Sequence, residues 1–386
     1  MLSFLARQWF LVSLAILIVA GFAFGLTGLG PQAQSVSSRI DPKTTTAVVL
    51  FLMSFTLDSR SLVAAVKAPR AVLLAIVINA VFMPLAGCLA MRGQLSADFA
   101  CGVMIAMSVP STLASASVMT RKAGGQDAIS LLVTVITNGL CFLTTPFWLY
   151  VGTSQKLQLD LKSLSWGLIV AVLIPTAAGQ VARFNGPLRE FANRCKPWLG
   201  AAAQICIELI VFSAAVRGGM TWNELTSTAA VTSAPVVIEP INVQSRDVVD
   251  GSSTAAAIAA ETLEQAERVG ASNGVSEHAG KITGSAVLVM VATVLGLHLI
   301  AWWLSLRVAD WIRLPRHEGV AVSFSASEKT LPVGLLVAAD PATFGTAFPF
   351  ALFPMLIYHI GQLFMDSALA SWLKMQSERK IDRERV

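Results

Sequence analysis

Helix-breaking, hydroxyl-rich sequence at membrane depth constrains this chain more than any other feature. Pro110–Gln126 reads PSTLASASVMTRKAGGQ and lies inside apolar sequence of membrane-spanning length. In hydrocarbon every backbone N–H and C=O needs an internal partner, so broken backbone survives only when it is buried in protein or lines a polar cavity. In transporters such breaks are where substrate and ions sit. A second interruption, SFSASEKTLP at Ser323–Pro332, occurs near the C-terminal end. The pair predicts an internally duplicated transporter with one broken helix in each half.

The 386 residues are 55% hydrophobic and only 13% charged, whereas soluble domains carry about 25% charged residues. Ten stretches reach membrane-spanning length, near 9–29, 44–58, 69–91, 97–120, 127–151, 164–182, 197–217, 283–306, 319–338 and 344–373. The N-terminal run is read as a retained first span, since no small-x-small cleavage site follows it. Eighteen of the 28 Lys and Arg fall on the side of this map that holds both termini, nine on the other, and Lys329 inside a span. The bias predicts cytoplasmic termini in the cell's inner (plasma) membrane. The net charge of +5 is thus a topology signal and gives no reason to expect nucleic acid. Cys88, Cys101, Cys141, Cys195 and Cys206 lie in or beside apolar spans with no CxxC, which argues against a disulfide framework or a zinc site.

The expected fold is an all-α polytopic membrane protein of ten transmembrane helices. Residues 1–217 hold helices 1–7, with a first repeat over about 1–151; 218–282 form an extracytoplasmic insert; 283–386 hold helices 8–10 and a cytoplasmic tail. Without the insert there are five spans and five more, and an odd number per half makes the repeats inverted. The interruptions fall in the fourth and ninth spans.

Pro110 removes a backbone donor. Ser111, Thr112, Ser115, Ser117 and Thr120 then place hydroxyls beside freed carbonyls, and the following half-helix offers amides that suit an anion. Small hydroxyl residues also let helices pack closely, and the residues alone leave both readings open. In the fifth span Ser130, Thr134 and Asn138 share one helix face, with Thr137 beside them. Glu328 and Lys329 are adjacent ionisable residues at membrane depth, which marks a functional position. Neighbours on a helix diverge, so the two need separate partners unless the backbone is unwound. Glu208, His359 and Asp366 are weaker candidates, read more readily as helix-to-helix contacts.

Pro110–Leu149 resembles the signature of the bile acid:sodium symporter superfamily, and SASEKTLPVG followed by ALFPMLIYHIGQL resembles its SBF-like branch. The resemblance covers essentially all ten spans; the insert falls outside the usual pattern. It implies a panel domain of spans 1, 2, 6 and 7, and a core of spans 3–5 and 8–10 in which spans four and nine cross at their breaks. It also implies a cation site drawn from Ser115, Ser117, Ser130, Thr134, Glu328 and Asn79. Substrate would meet Ser111, Thr112, Asn138, Lys329 and Thr330. Asn79 before Pro84 stands where the family pattern has Gln, Glu328 where it has Gln, and Phe324 where two-sodium members carry a carboxylate.

The expected function is a secondary, symporter-like transporter of a small organic anion. Sodium is the expected coupling ion, lipid the surroundings, and no cofactor is expected; oligomeric state is left open. The alternatives are a proton-coupled carrier, or a regulatory or scaffold membrane protein whose insert binds a partner. No GxGD or HExxH motif supports an intramembrane enzyme.

Overall fold

The computed structural model describes residues 9–27, 32, 35, 38–58, 65–113, 115–153, 160–232, 282–340, 348 and 350–384. Among these residues every regular element is helical. The order is α1 (Trp9–Leu26), α2 (Pro42–Phe55), α3 (Pro69–Gly93), α4 (Ala97–Ser108), α5 (Ser115–Lys122), α6 (Asp127–Thr153), α7 (Leu161–Ala182), α8 (Gly186–Arg194), α9 (Lys196–Thr232), α10 (Gly284–Trp311), α11 (Arg316–Ser327), α12 (Leu331–Ala339) and α13 (Leu352–Glu384). Six of the helical stretches are long and apolar enough to cross a membrane: α3, α6, α7, α9, α10 and the α11–α12 pair. Shorter apolar helices lie in α1, α2 and α4. The chain is a polytopic membrane protein.

Helix α9 does not stop near 217 but continues to Thr232. Its Gly218 and Gly219 are contact points rather than breakers: a Cβ on Gly219 would lie 2.3 Å from the Phe22 carbonyl of α1, and one on Gly218 would lie 3.2 Å from Phe353. Small residues let these backbones approach closely. The remainder of the expected insert, 233–281, lies outside the described residues.

Prolines shape the long helices. In α3 a π-helical turn at Ile78–Phe82 precedes Pro84. Pro84 has no N–H for the Ala80 carbonyl, and the Trp148 indole of α6 donates to that carbonyl instead, at 2.7 Å. The same device recurs in α7, where a π turn at Ile169–Leu173 precedes Pro175.

Helices α1, α2, α7 and α9 pack chiefly on one another, and so do α3, α4, α5, α6, α10, α11 and α13; α12 touches α2 and α9 as well as α4 and α13. Leu73, Val77, Val81, Leu85 and Leu89 form an exposed stripe along α3, the apolar face expected toward lipid. The α11–α12 pair is enclosed on every side: all residues from Gly319 to Ala338 are buried or nearly so. The span that carries Glu328 and Lys329 is therefore the central one.

Candidate functional site

The two breaks meet. α4 ends because Val109 precedes a proline and is driven to extended backbone (φ −73°, ψ 157°). α11 ends where Glu328 turns extended (φ −74°, ψ 145°), and α12 restarts after Thr330 with a proline in its first turn. The Thr330 amide donates to the Pro110 carbonyl at 2.9 Å, which ties one break to the other.

Broken helices leave orphan carbonyls, and here the protein's own donors fill them. On the α4 side, Ser108 O accepts from Thr145 Oγ1 at 3.0 Å, Val109 O from Lys329 Nζ at 2.9 Å, and Ser111 O from Asn138 Nδ2 at 2.8 Å. On the α11 side, Asn79 Nδ2 donates to Ala326 O at 3.0 Å and Glu328 O at 3.1 Å, and Tyr358 donates to Ser327 O. Gln362 completes the set: its Oε1 accepts from the Lys329 amide and its Nε2 donates to the Lys329 carbonyl, both at 2.9 Å.

Glu328 and Lys329 have separate partners even though the backbone between them is unwound. The Lys329 ammonium is fully buried and donates to Asn79 O at 2.8 Å as well as to Val109 O. It thereby binds the C-terminal end of α4, where the helix dipole favours a cation. Glu328 is hydrogen-bonded through Oε2 to Ser115 of α5, while its Oε1 has no partner.

Ser130 links three helices, with its Oγ 2.7 Å from Thr120 Oγ1 and donating to Ala321 O at 3.2 Å. Thr134 is buried and donates to Leu131 O of its own helix at 2.9 Å. Thr137 Oγ1 accepts from the Ser111 amide at 3.3 Å. Thr112 and Ser117 are buried beside the break. Ser111 Oγ and Asn138 Oδ1 are buried without a hydrogen-bond partner. The expected residues thus converge on one crossing, with Ser130, Thr134 and Ser117 on its α5–α6 flank. Phe324, on the α11 face toward α10, packs on Trp302 with ring centroids 6.3 Å apart.

Several residues of this crossing escaped sequence reasoning. His298 of α10 is fully buried, with Nε2 2.9 Å from Asp366 Oδ1 and Nδ1 3.3 Å from the Tyr358 hydroxyl. Asp366 of α13 was read as a weak candidate, yet its carboxyl lies within hydrogen-bonding reach of the Glu328 carboxyl. Gln362 and Tyr358 carried no motif. A tally of every ionisable residue at membrane depth would have added His298 to Asp366. The other weak candidates are satisfied contacts: Glu208 hydrogen-bonds to Ser13, and His359 Nδ1 lies 2.9 Å from Gln362 Nε2. Among the described residues, no group of three or more His, Cys, Asp or Glu is arranged to hold a metal ion.

A cavity of about 380 Å³ opens where α2, α7 and α9 face α12. Lys43 and Arg217 line it, with Asp41 and Asp340, above the apolar wall of Leu164, Leu168 and Leu336.

Apolar helices thus surround two buried, mutually bonded helix breaks. The chain belongs to the SBF-like CPA transporter family, whose model matches residues 8–238 and 270–375. The family model leaves residues 239–269 unmatched. A probable chloroplastic sodium/metabolite cotransporter of Arabidopsis thaliana is 30% identical over 215 residues, covering 54% of this chain and 48% of the relative. Its counterpart in Oryza sativa subsp. indica is 22% identical over 371 residues, covering 95% of this chain and 76% of the relative. Sodium/bile acid cotransporter 7 of Danio rerio is 22% identical over 216 residues, covering 54% and 62%. The chain thus aligns with about half the length of the Arabidopsis relative and less than two thirds of the zebrafish one.

Proposed function

We propose that the chain is a sodium-coupled secondary transporter of a small organic anion. The observation that carries the reading is the crossing: two broken helices joined at Thr330 N–Pro110 O, buried at the centre of a membrane protein. Relatives named as sodium cotransporters support sodium as the coupling ion. The ten spans form two inverted five-helix repeats, with α1, α2, α7 and α9 as the panel and the remaining spanning helices as the core. The division follows the two packing groups of the fold. Substrate is exposed alternately by movement of core against panel.

Ser115, Ser117, Ser130, Thr134, Glu328 and Asn79 serve the cation, and Ser111, Thr112, Asn138, Lys329 and Thr330 the substrate. Ser111 Oγ and Asn138 Oδ1 have hydrogen-bonding capacity left over, as a substrate site requires. The cavity between the two helix groups is an entry path in which Lys43 and Arg217 attract the anion. Both termini are cytoplasmic, in the inner (plasma) membrane, and the segment after α9 is extracytoplasmic.

The test is uptake into proteoliposomes of purified protein, with a panel of radiolabelled organic anions and an inward sodium gradient. Expected is sodium-driven accumulation of at least one anion, abolished by Thr134→Ala or Lys329→Gln. Uptake indifferent to sodium but driven by a pH gradient would replace sodium with protons.

A further inference from the structure

We infer that Glu328 and Asp366 together form a sodium site that bridges the broken helix to α13. Three elements build it: the α11–α12 break supplies Glu328, α13 supplies Asp366, and the first turn of α5 supplies Ser115. Both carboxyls are fully buried. Each has one oxygen already committed, Glu328 Oε2 to Ser115 and Asp366 Oδ1 to His298. Each has one oxygen without a donor, Glu328 Oε1 and Asp366 Oδ2. The two side chains lie within hydrogen-bonding reach of each other. Two such carboxyl oxygens repel each other unless a proton or a cation lies between them.

Formal charge points the same way. The nearest cation in sequence, Lys329, is held by Asn79 O and Val109 O and makes no ion pair with Glu328. A cation between the two carboxyls supplies the counter-charge that Lys329 does not. Oxygen donors of this kind, carboxylate and hydroxyl, suit a hard cation. Asp366 thus restores, from a different helix, an anionic ligand that Phe324 cannot supply. His298 is a positioning residue, fixing the Asp366 carboxyl through the oxygen that the cation does not use.

The inference rests on the sodium-coupled reading, and one experiment separates the two. The full chain, purified in detergent, is unfolded thermally in NaCl or KCl at constant ionic strength and at several pH values. Expected is a saturable rise in Tm with sodium alone. Asp366→Asn and Glu328→Gln should each raise the half-saturating sodium concentration roughly tenfold or more, the usual scale for a lost charged contact. In KCl both variants should unfold no earlier than the parent, because an uncompensated buried charge has been removed. If Asp366→Asn cannot be purified folded, Glu328→Gln and Asp366→Glu read the same site. A sodium response kept in Asp366→Asn but lost in Thr134→Ala overturns this site and leaves sodium coupling standing. An unmodified chain indifferent to sodium, but stabilised at low pH in a way that Asp366→Asn removes, overturns both in favour of a shared proton.

Discussion

Replacing Gln362 with Leu tests how the unwound segment is held. The Gln362 carboxamide is fully buried on α13 and pairs with both backbone groups of Lys329, accepting from its N–H and donating to its C=O at 2.9 Å each. Lys329 lies between α11 and α12, so neither group has a partner within a helix. Leucine fills a similar volume, and the substitution therefore isolates the hydrogen bonds. Each orphaned buried group costs about 1–3 kcal/mol, hence about 2–6 kcal/mol for the pair. Side-chain hydrogen bonds between membrane helices average only about 0.6 kcal/mol, because the unfolded chain finds other partners in the bilayer. Here the larger figure applies: the groups lost are backbone groups at a break, and Pro332 disfavours a continuous helix that would take them up.

For a chain of this size 1 kcal/mol shifts Tm by roughly 1–2 °C, so Gln362→Leu should unfold roughly 2–12 °C earlier than the parent. A thiol-reactive dye reads the transition directly, since Cys101 and Cys141 are buried and reduced. His359→Gln spares both Lys329 contacts and should shift Tm by less than half as much. A Gln362→Leu protein melting within about 1 °C of the parent would show that the break stands without this pair, and the account of its satisfied carbonyls would be wrong.

Two further predictions concern the frame around the crossing. A Cβ on Gly102 would lie 2.2 Å from the Ala351 carbonyl, a backbone atom that cannot move aside, whereas one on Gly139 would meet nothing within 4 Å. Gly102→Ala should therefore cost about 1–3 kcal/mol through overpacking of α4 on α13, and Gly139→Ala should be neutral or stabilise by up to about 1 kcal/mol, both read as Tm. At the mouth of the cavity, Asp41 caps α2, with Oδ2 accepting from the Thr44 amide at 2.9 Å and the Thr44 hydroxyl at 2.6 Å. Partial burial of Asp41 works against its charged form, but the hydrogen bonds from Thr44 and Lys43 outweigh it and hold the carboxyl below its ordinary value of 3.8. The folded value is the lower one, so this stabilisation is complete above 3.8 and is lost as pH falls through the folded value. Asp41→Ala should cost about 0.5–2 kcal/mol at neutral pH and reduce the acid dependence of Tm, while Asp41→Asn should keep the cap.

Local chemistry explains why so much of the crossing was legible. A proline disfavours helical backbone at its predecessor and is at home in a helix's first turn, so Val109–Pro110 marks the end of α4 and Pro332 the start of α12. Hydroxyls and ionisable groups cannot face lipid, so Ser111, Ser115, Ser130, Glu328 and Lys329 had to turn inward together. The extent of α9 was not legible, because Gly218 and Gly219 stand inside the helix only where α1 and Phe353 pack against them.

The sequence by itself determined the membrane class, the number and place of the breaks, and which residues approach them, because these follow from hydrocarbon's refusal of unsatisfied polar groups. Only the tertiary structure decided who satisfies whom. Gln362 holds Lys329, Asn79 caps α11, the Lys329 ammonium binds α4 rather than Glu328, and Asp366 faces Glu328 with His298 behind it. Those pairings join residues on different helices, far apart along the chain, and helix packing sets them where no local pattern records them.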